Sequence, residues 1–202
     1  MSRLFLVRHG EPELTEEGLF LGQSDVLLSA RGREEAKELG ESLRAFSFGA
    51  VYSSDLIRAA ETARIVVGSR PLSVIAAPAL REVALGDWEL RRRRDVEKED
   101  PRAYRDRGRD LLGFRPPRGE SFRDLAERAL PLLRGIMGQN SGDSLVVTHA
   151  GVLRLLFADL LGLEPERLFR LSFDYASLSL LRQRNGKKEI LCLNWRPRPA
   201  LP

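Results

Sequence analysis

The chain contains two histidines, His9 and His149, and each follows an apolar segment typical of a buried strand. A glycine comes soon after each of them, at Gly10 and Gly151, as a strand-to-helix turn requires. In an open α/β sheet, residues at the carboxyl ends of the strands share one edge, and ligands bind there. We therefore expect both histidines at one ligand-binding edge.

Three further reactive residues are expected at the same edge. Arg8 precedes His9, Arg58 lies in the first turn of the helix after the second strand, and Glu82 lies in the loop after the third. Guanidinium groups bind phosphate through paired hydrogen bonds. A neutral imidazole can attack phosphorus, and a carboxylic acid can protonate the departing alcohol. Singly, each could be a structural group or salt-bridge partner; together they predict phosphoryl transfer.

These residues depend on strands that alternate with helices. The expected strands are residues 3–7, 50–53, 72–76 and 144–148, followed by a hairpin of residues 176–182 and 189–194 joined across Asn185-Gly186. The expected helices are residues 29–46, about 55–67, 121–137 and 150–161, with Ser54-Asp55 as the N-cap of the second. This order predicts an α/β fold whose mostly parallel sheet is covered on both faces, with one antiparallel edge strand.

Residues 86–119 are irregular and highly charged, and we interpret them as a helical or loop insertion that forms a lid over the sheet edge. They include four consecutive arginines at residues 91–94. Nucleic-acid binding is one interpretation of this run. Acidic residues are interleaved with it, however, and the net charge of the chain is only +4. We therefore expect a solvated face or a rim that attracts an anionic substrate, and no nucleic-acid partner.

The composition favours one domain over residues 1–202, with an extended tail at residues 196–202. No apolar run suits a signal peptide or a bilayer span, so we expect a cytoplasmic protein with no membrane partner. Two histidines and one cysteine leave little material for a zinc site. We expect no metal and no cofactor, although a carboxylate site for magnesium is harder to exclude. A homodimer is left open.

The motifs resemble those of the histidine phosphatase superfamily, also called phosphoglycerate mutase-like. The opening motif is Leu-Val-Arg-His-Gly-Glu at residues 6–11, and further similar segments lie at residues 22–25, 28–32, 52–63, 80–82 and 148–151. The chain departs from the family pattern at Thr15, where many relatives have an asparagine that contacts phosphate. It departs again at Leu90, where the usual Trp-Glu-Gly reads Trp-Glu-Leu.

The resemblance implies a three-layer α/β/α sandwich and metal-independent chemistry on a small phosphorylated metabolite. His9 would be the nucleophile that forms a phosphohistidine, and Glu82 would be the proton donor. The implied phosphate pocket consists of Arg8, Arg58 and His149, and the implied further substrate contacts are Gln23, Ser24 and Ala150.

Within the superfamily, Gly-Asp-Trp-Glu at residues 86–89 resembles the phosphatase branch. The insertion before His149 is also shorter than phosphoglycerate mutases tend to carry. Residues 86–96 resemble those of α-ribazole-5′-phosphate phosphatases, which serve assembly of the cobalamin lower ligand. Broad-specificity, phosphoserine or phosphoglycerate phosphatases, a cofactor-dependent mutase and a non-enzymatic phosphate-binding module are the alternatives.

Overall fold

A computed structural model describes residues 2–14, 16, 18–139, 142–184 and 186–197. The strands are β1 (Ser2–Arg8), β2 (Ala50–Ser53), β3 (Val74–Ala76), β4 (Ser144–Thr148), β5 (Leu178–Arg184) and β6 (Lys187–Trp195). The α-helices are α1 (Ala30–Ser42), α2 (Ile57–Val67), α3 (Arg93–Glu99), α4 (Pro101–Arg109), α5 (Phe122–Gly138) and α6 (Ala150–Leu161). Thr15, Asn185 and residues 198–202 of the expected tail lie outside the described residues.

The six strands form one sheet in the order β3-β2-β4-β1-β5-β6. The first four are parallel to one another, and β1 pairs with β4 in a register that places Arg8 opposite Thr148. The terminal hairpin extends the sheet as expected. Its first strand, β5, runs antiparallel to β1, and β6 forms the edge. Because β1 and β4 are neighbours, the residues that follow them, His9 and His149, emerge side by side.

Helices cover both faces of the sheet, and β1 shows why. Leu4 and Leu6 point into a core formed with α5 and α6, whereas Phe5 and Val7 point into a second core formed with α1 and α2. A strand buried on both faces reads as a continuous apolar run, which is the pattern at the start of this chain. The predicted α/β/α sandwich with a mostly parallel sheet is confirmed.

Most expected elements are found within a few residues of their predicted bounds, but the predicted N-cap of α2 is wrong. Helix α2 begins at Ile57, and its N-cap residue is Leu56, which makes no side-chain cap. The backbone N–H of Ile57 instead donates to the carboxylate of Asp25, 2.7 Å away. Ser54 hydrogen-bonds to His149, and Asp55 pairs with Arg81. A partner that is distant in sequence therefore supplies the cap.

The insertion is organised around a small apolar cluster of Phe20, Trp88 and Val96. Two short helices, α3 and α4, follow in succession. Between Trp88 and α3, Leu90 has φ = 59°, in the left-handed region that favours glycine. Among the described helices, none is long and apolar enough to cross a membrane.

Candidate active site

His9 lies directly after β1 and is only 4% exposed. Its Nδ1 is 2.7 Å from the carbonyl oxygen of Gly10, and a carbonyl only accepts, so Nδ1 carries the proton. Nε2 therefore keeps its lone pair and accepts a weak 3.4 Å hydrogen bond from Nε–H of Arg58. The next backbone N–H, that of Gly10, donates to the hydroxyl of Thr62 on α2 and fixes the turn.

The surroundings of His9 also keep the ring neutral. Burial lowers its pKa well below the ordinary value of 6.5, and the positive charges of Arg58 and Arg8 act in the same direction. A hydrogen bond to the Gly10 carbonyl opposes this shift. The result is an unprotonated Nε2, the form that can act as a nucleophile.

Arg58 lies in the first turn of α2 and is only 1% exposed. Its guanidinium donates to the carbonyls of Ser24, at 2.8 Å, and Gly22, at 2.6 Å. The same group lies between the two histidines, 3.3 Å from Nδ1 of His149. Burial lowers the pKa of Arg58 below its usual range, and the charge of the Glu82 carboxylate opposes this shift in part. The loop that contains Gly22 and Ser24 therefore positions a buried positive charge beside His9.

His149 is the N-cap residue of α6 and is completely buried. Its ring centroid lies 5.0 Å from that of His9. Nε2 is 2.8 Å from the hydroxyl of Ser54, and Nδ1 faces Arg58. Burial, followed by the charge of Arg58, lowers the pKa of His149 well below 6.5. The structure thus brings the two histidines together, with both ring nitrogens of His149 occupied by protein groups.

Arg8 ends β1, and its guanidinium is held from two sides. Nη1 donates to the carbonyl of Phe173 at 2.6 Å, and the guanidinium carbon lies 3.8 Å from the ring centroid of Tyr175. Its Nε is buried and has no hydrogen-bond partner among the described residues. An unpartnered buried donor is costly, and an oxyanion in the cavity would satisfy it. Tyr175 also lies beside His9, with ring centroids 5.7 Å apart.

Glu82 connects the loop after β3 to α6. Its carboxylate accepts from the backbone N–H groups of Val83, at 2.9 Å, and Gly151, at 3.0 Å. A Cβ atom at position 151 would lie 2.1 Å from Oε1 of Glu82, so only glycine allows this approach. The N-terminus of α6 therefore fixes the one carboxylate that the sequence placed at this edge.

Arg128 was missed by the sequence analysis. From α5 it donates to the backbone carbonyls of Ala79, Arg81 and Glu82, each at 2.8 Å, and it pairs with Glu120 at 2.8 Å. Glu120 accepts in turn from the N–H of Ala84. The sequence feature that could have indicated its role is a charged residue beside the apolar stripe of α5. Arg128 holds the loop of Glu82 in place.

The three further predicted contacts differ in position. Ala150 lines the cavity beside His9. The side-chain amide of Gln23 donates to the carbonyl of Glu82, and the hydroxyl of Ser24 donates to Glu89. Glu89 also accepts from the backbone N–H groups of Gln23 and Ser24, so it ties the insertion to the loop that holds Arg58. Direct contacts of Gln23 and Ser24 with a substrate stay predictions.

One cavity of about 350 Å³ brings these groups together. The residues that line it near the strand ends are Arg8, His9, Arg58, Glu82, Ala150 and Gly151. The insertion contributes Arg93 and Arg107, so it covers part of this space. In the described part of the chain, no group of three or more His, Cys, Asp or Glu side chains is placed to hold a metal ion. The cavity is a cationic pocket around a neutral imidazole.

Comparison with known proteins gives a family and several relatives. A profile described as the histidine phosphatase superfamily (branch 1) matches residues 4–196. An adenosylcobalamin/α-ribazole phosphatase of Escherichia coli (strain K12) is 37% identical over 180 residues, which span 89% of each chain. A phosphoglycerate mutase of Schizosaccharomyces pombe is 34% identical over 175 residues, or 83% of each chain.

A solved structure agrees with these matches. The α-ribazole phosphatase from Shigella flexneri superposes with a TM-score of 0.89 at 34% identity, and the alignment covers 99% of this chain and 100% of that one. The similarity therefore includes the insertion and the terminal hairpin as well as the central sheet.

Proposed function

Because this chain belongs to the histidine phosphatase superfamily (branch 1), we propose that it hydrolyses phosphomonoesters through a phosphohistidine on Nε2 of His9. The match to residues 4–196 agrees with the family that the motifs indicated. One observation carries the proposed role of His9: its neutral ring, protonated on Nδ1 and not on Nε2, lines a cavity beside the guanidiniums of Arg8 and Arg58.

In the first step, the lone pair on Nε2 of His9 attacks phosphorus. The bond between phosphorus and the ester oxygen breaks, its electron pair leaves with that oxygen, and protonated Glu82 supplies the proton of the product alcohol. In the second step, Glu82 takes a proton from water, whose oxygen attacks phosphorus. The P–N bond then breaks, inorganic phosphate forms, and the electron pair returns to Nε2.

The arginines stabilise the charge of the transferring group. Nε–H of Arg8 is available to a phosphate oxygen, and Arg58 already directs Nε–H at the position of the attacking atom. When phosphate arrives, the weak 3.4 Å bond from Arg58 to His9 gives way to a charge-assisted bond to an oxygen. His149 acts from behind Arg58, and a direct bond to phosphate requires that one of its present partners be released.

Trapping the intermediate tests this proposal. The enzyme is mixed with a ³²P-labelled phosphomonoester and quenched in alkali, where phosphohistidine survives, and a second sample is then acidified. We expect acid-labile label in the wild-type chain and none in His9→Ala. Label that persists in His9→Ala, or substrate binding by the wild-type chain without label or turnover, would contradict the proposal; the second result indicates a binding module.

For the substrate, we propose the 5′-phosphate of α-ribazole, because the cited E. coli and S. flexneri relatives are named for that activity and align with the insertion. A panel of α-ribazole 5′-phosphate, phosphoserine, 3-phosphoglycerate and a sugar phosphate tests this choice. We expect the highest kcat/KM for the first. Equal values across the panel would refute it, and transfer of label to 3-phosphoglycerate rather than water would indicate a mutase, as in the yeast relative.

The remaining expectations belong to the same proposal: a single domain over residues 1–202, a cytoplasmic location and no nucleic-acid partner. Support for the last comes from the arginine run. Arg91 pairs with Glu99, Arg92 with Glu16 and Arg94 with Asp95. Charges already paired with carboxylates contribute little to phosphate-backbone binding.

A further inference from the structure

A row of alternating arginines and phenylalanines lines the cavity, and two of its arginines, Arg93 and Arg107, come from the insertion. We call Arg93, Phe20, Arg107, Phe169 and Arg154 the arginine ladder. The guanidinium carbons of Arg93 and Arg107 lie 5.6 and 5.5 Å from the ring centroid of Phe20. Those of Arg107 and Arg154 lie 5.7 and 5.1 Å from that of Phe169. All five residues line the cavity that contains His9.

The ladder arginines differ from their neighbours in how they are paired. Whereas Arg91, Arg92 and Arg94 each contact a carboxylate, Arg93, Arg107 and Arg154 make no ion pair with any described residue. Nε–H of Arg154 donates a hydrogen bond to the carbonyl of Leu171. Glu16, which also lines the cavity, pairs with Arg92. All three ladder arginines line the cavity.

Positive charges gathered in this way are unfavourable unless something compensates them. Burial, together with the charge of Arg93, lowers the pKa of Arg107 below its usual range, and burial also lowers the pKa of Arg154. The phenylalanine rings compensate in part, because their faces are negative. The first phosphate site, formed by Arg8 and Arg58, consists of other residues, so the ladder is not needed to hold the group that reacts.

We propose that the arginine ladder is a second anion subsite, which binds a second phosphate group carried by the alcohol part of the substrate. This inference rests on the proposed phosphatase function and adds a binding preference to it. Phosphomonoesters whose alcohol bears a further phosphate or phosphodiester, placed so that Arg107 reaches it while His9 attacks the monoester, should bind more tightly than the corresponding compounds with a single phosphate.

Binding to a chain that cannot turn over provides the test. Calorimetric titration of His9→Ala compares adenosine 5′-monophosphate with adenosine 3′,5′-bisphosphate, which share the nucleoside and differ by one phosphate. We expect the bisphosphate to bind about tenfold more tightly, the size of one good charge-assisted contact. Equal dissociation constants would overturn the subsite.

Arg107→Gln in the same background should remove the preference for the bisphosphate. Arg102→Gln is the matched control, because Arg102 also lies on α4 but its side chain is 90% exposed. It should keep the preference. Should Arg107→Gln disturb the short helix, Arg154→Gln tests the ladder from α6, and a preference that survives both substitutions would refute the proposal. Retention of the preference by a chain whose wild type forms no phosphohistidine would reject the proposed function and leave the subsite standing.

Discussion

At the scale of single residues, the proposed chemistry depends on keeping Nε2 of His9 free of a proton. Burial is the largest cause of its lowered pKa, and two neighbouring guanidiniums add to it. The sequence predicted that His9, His149 and Arg58 meet, because each follows a strand of a parallel sheet. It could not predict which nitrogen of His9 carries the proton, because that follows from a 2.7 Å contact with the Gly10 carbonyl.

Both histidines should make stability depend on pH. In the unfolded chain they bind protons near pH 6.5, whereas in the folded chain their pKa values lie well below it. The unfolded state thus binds more protons below pH 6.5, and the free energy of unfolding should fall as the pH decreases from there. The slope is at most about 1.4 kcal/mol per pH unit for each histidine.

Urea unfolding between about pH 7.5 and about pH 5.5 measures this slope. His9→Gln removes one of the two titrating groups and should give a shallower dependence than the wild-type chain. A constant free energy of unfolding across this range, or equal slopes for the two proteins, would show that the buried rings do not resist protonation.

At the scale of elements, contacts distant in sequence decide what local patterns leave open. The N-cap of α2 was mispredicted because Ser54 is taken by His149 and a carboxylate from another loop caps the helix. The capping box of α5, by contrast, is local: Ser121 and Asp124 exchange hydrogen bonds three residues apart. The sequence also could not predict the role of Arg128, because most of its partners are more than 45 residues away along the chain.

Replacing Arg128 by methionine should both destabilise the protein and slow turnover. The substitution removes the donor to the carbonyls of Ala79 and Arg81. It also removes one of the donors to the carbonyl of Glu82 and to the carboxylate of Glu120. We therefore expect a loss of about 2 kcal/mol in the free energy of unfolding. It should also lower kcat, because the loop of Glu82 loses its anchor. Urea unfolding and steady-state kinetics measure the two effects.

Arg134→Met provides the control on the same helix. Arg134 pairs with Asp159 at the surface, where both side chains are more than a third exposed. Its loss should cost less than about 1 kcal/mol and leave kcat unchanged. Similar losses of stability and turnover in both variants would show that Arg128 has no special role in holding the loop.

At the scale of the whole molecule, the sequence predicts the half of the cavity that strands build. The bounds of β2, β4 and α6 agree with the predicted ones, since each combines an apolar run with a clear turn or glycine stop. The insertion was recognised only as a charged lid. Its arginines divide into surface pairs and a ladder inside the cavity, and that division depends on packing against Phe20 and Phe169, which no period in the sequence encodes.

The left-handed backbone conformation of Leu90 determines which amino acids position 90 can accept without loss of stability. A residue with a Cβ atom gives up about 1 kcal/mol in that conformation, and a β-branched one would give up more. Leu90→Gly would relieve the strain but would also increase the conformational entropy of the unfolded chain, whereas asparagine tolerates the geometry without that added entropy. Valine, isoleucine and threonine should therefore be disfavoured at position 90, and Leu90→Asn should raise the free energy of unfolding.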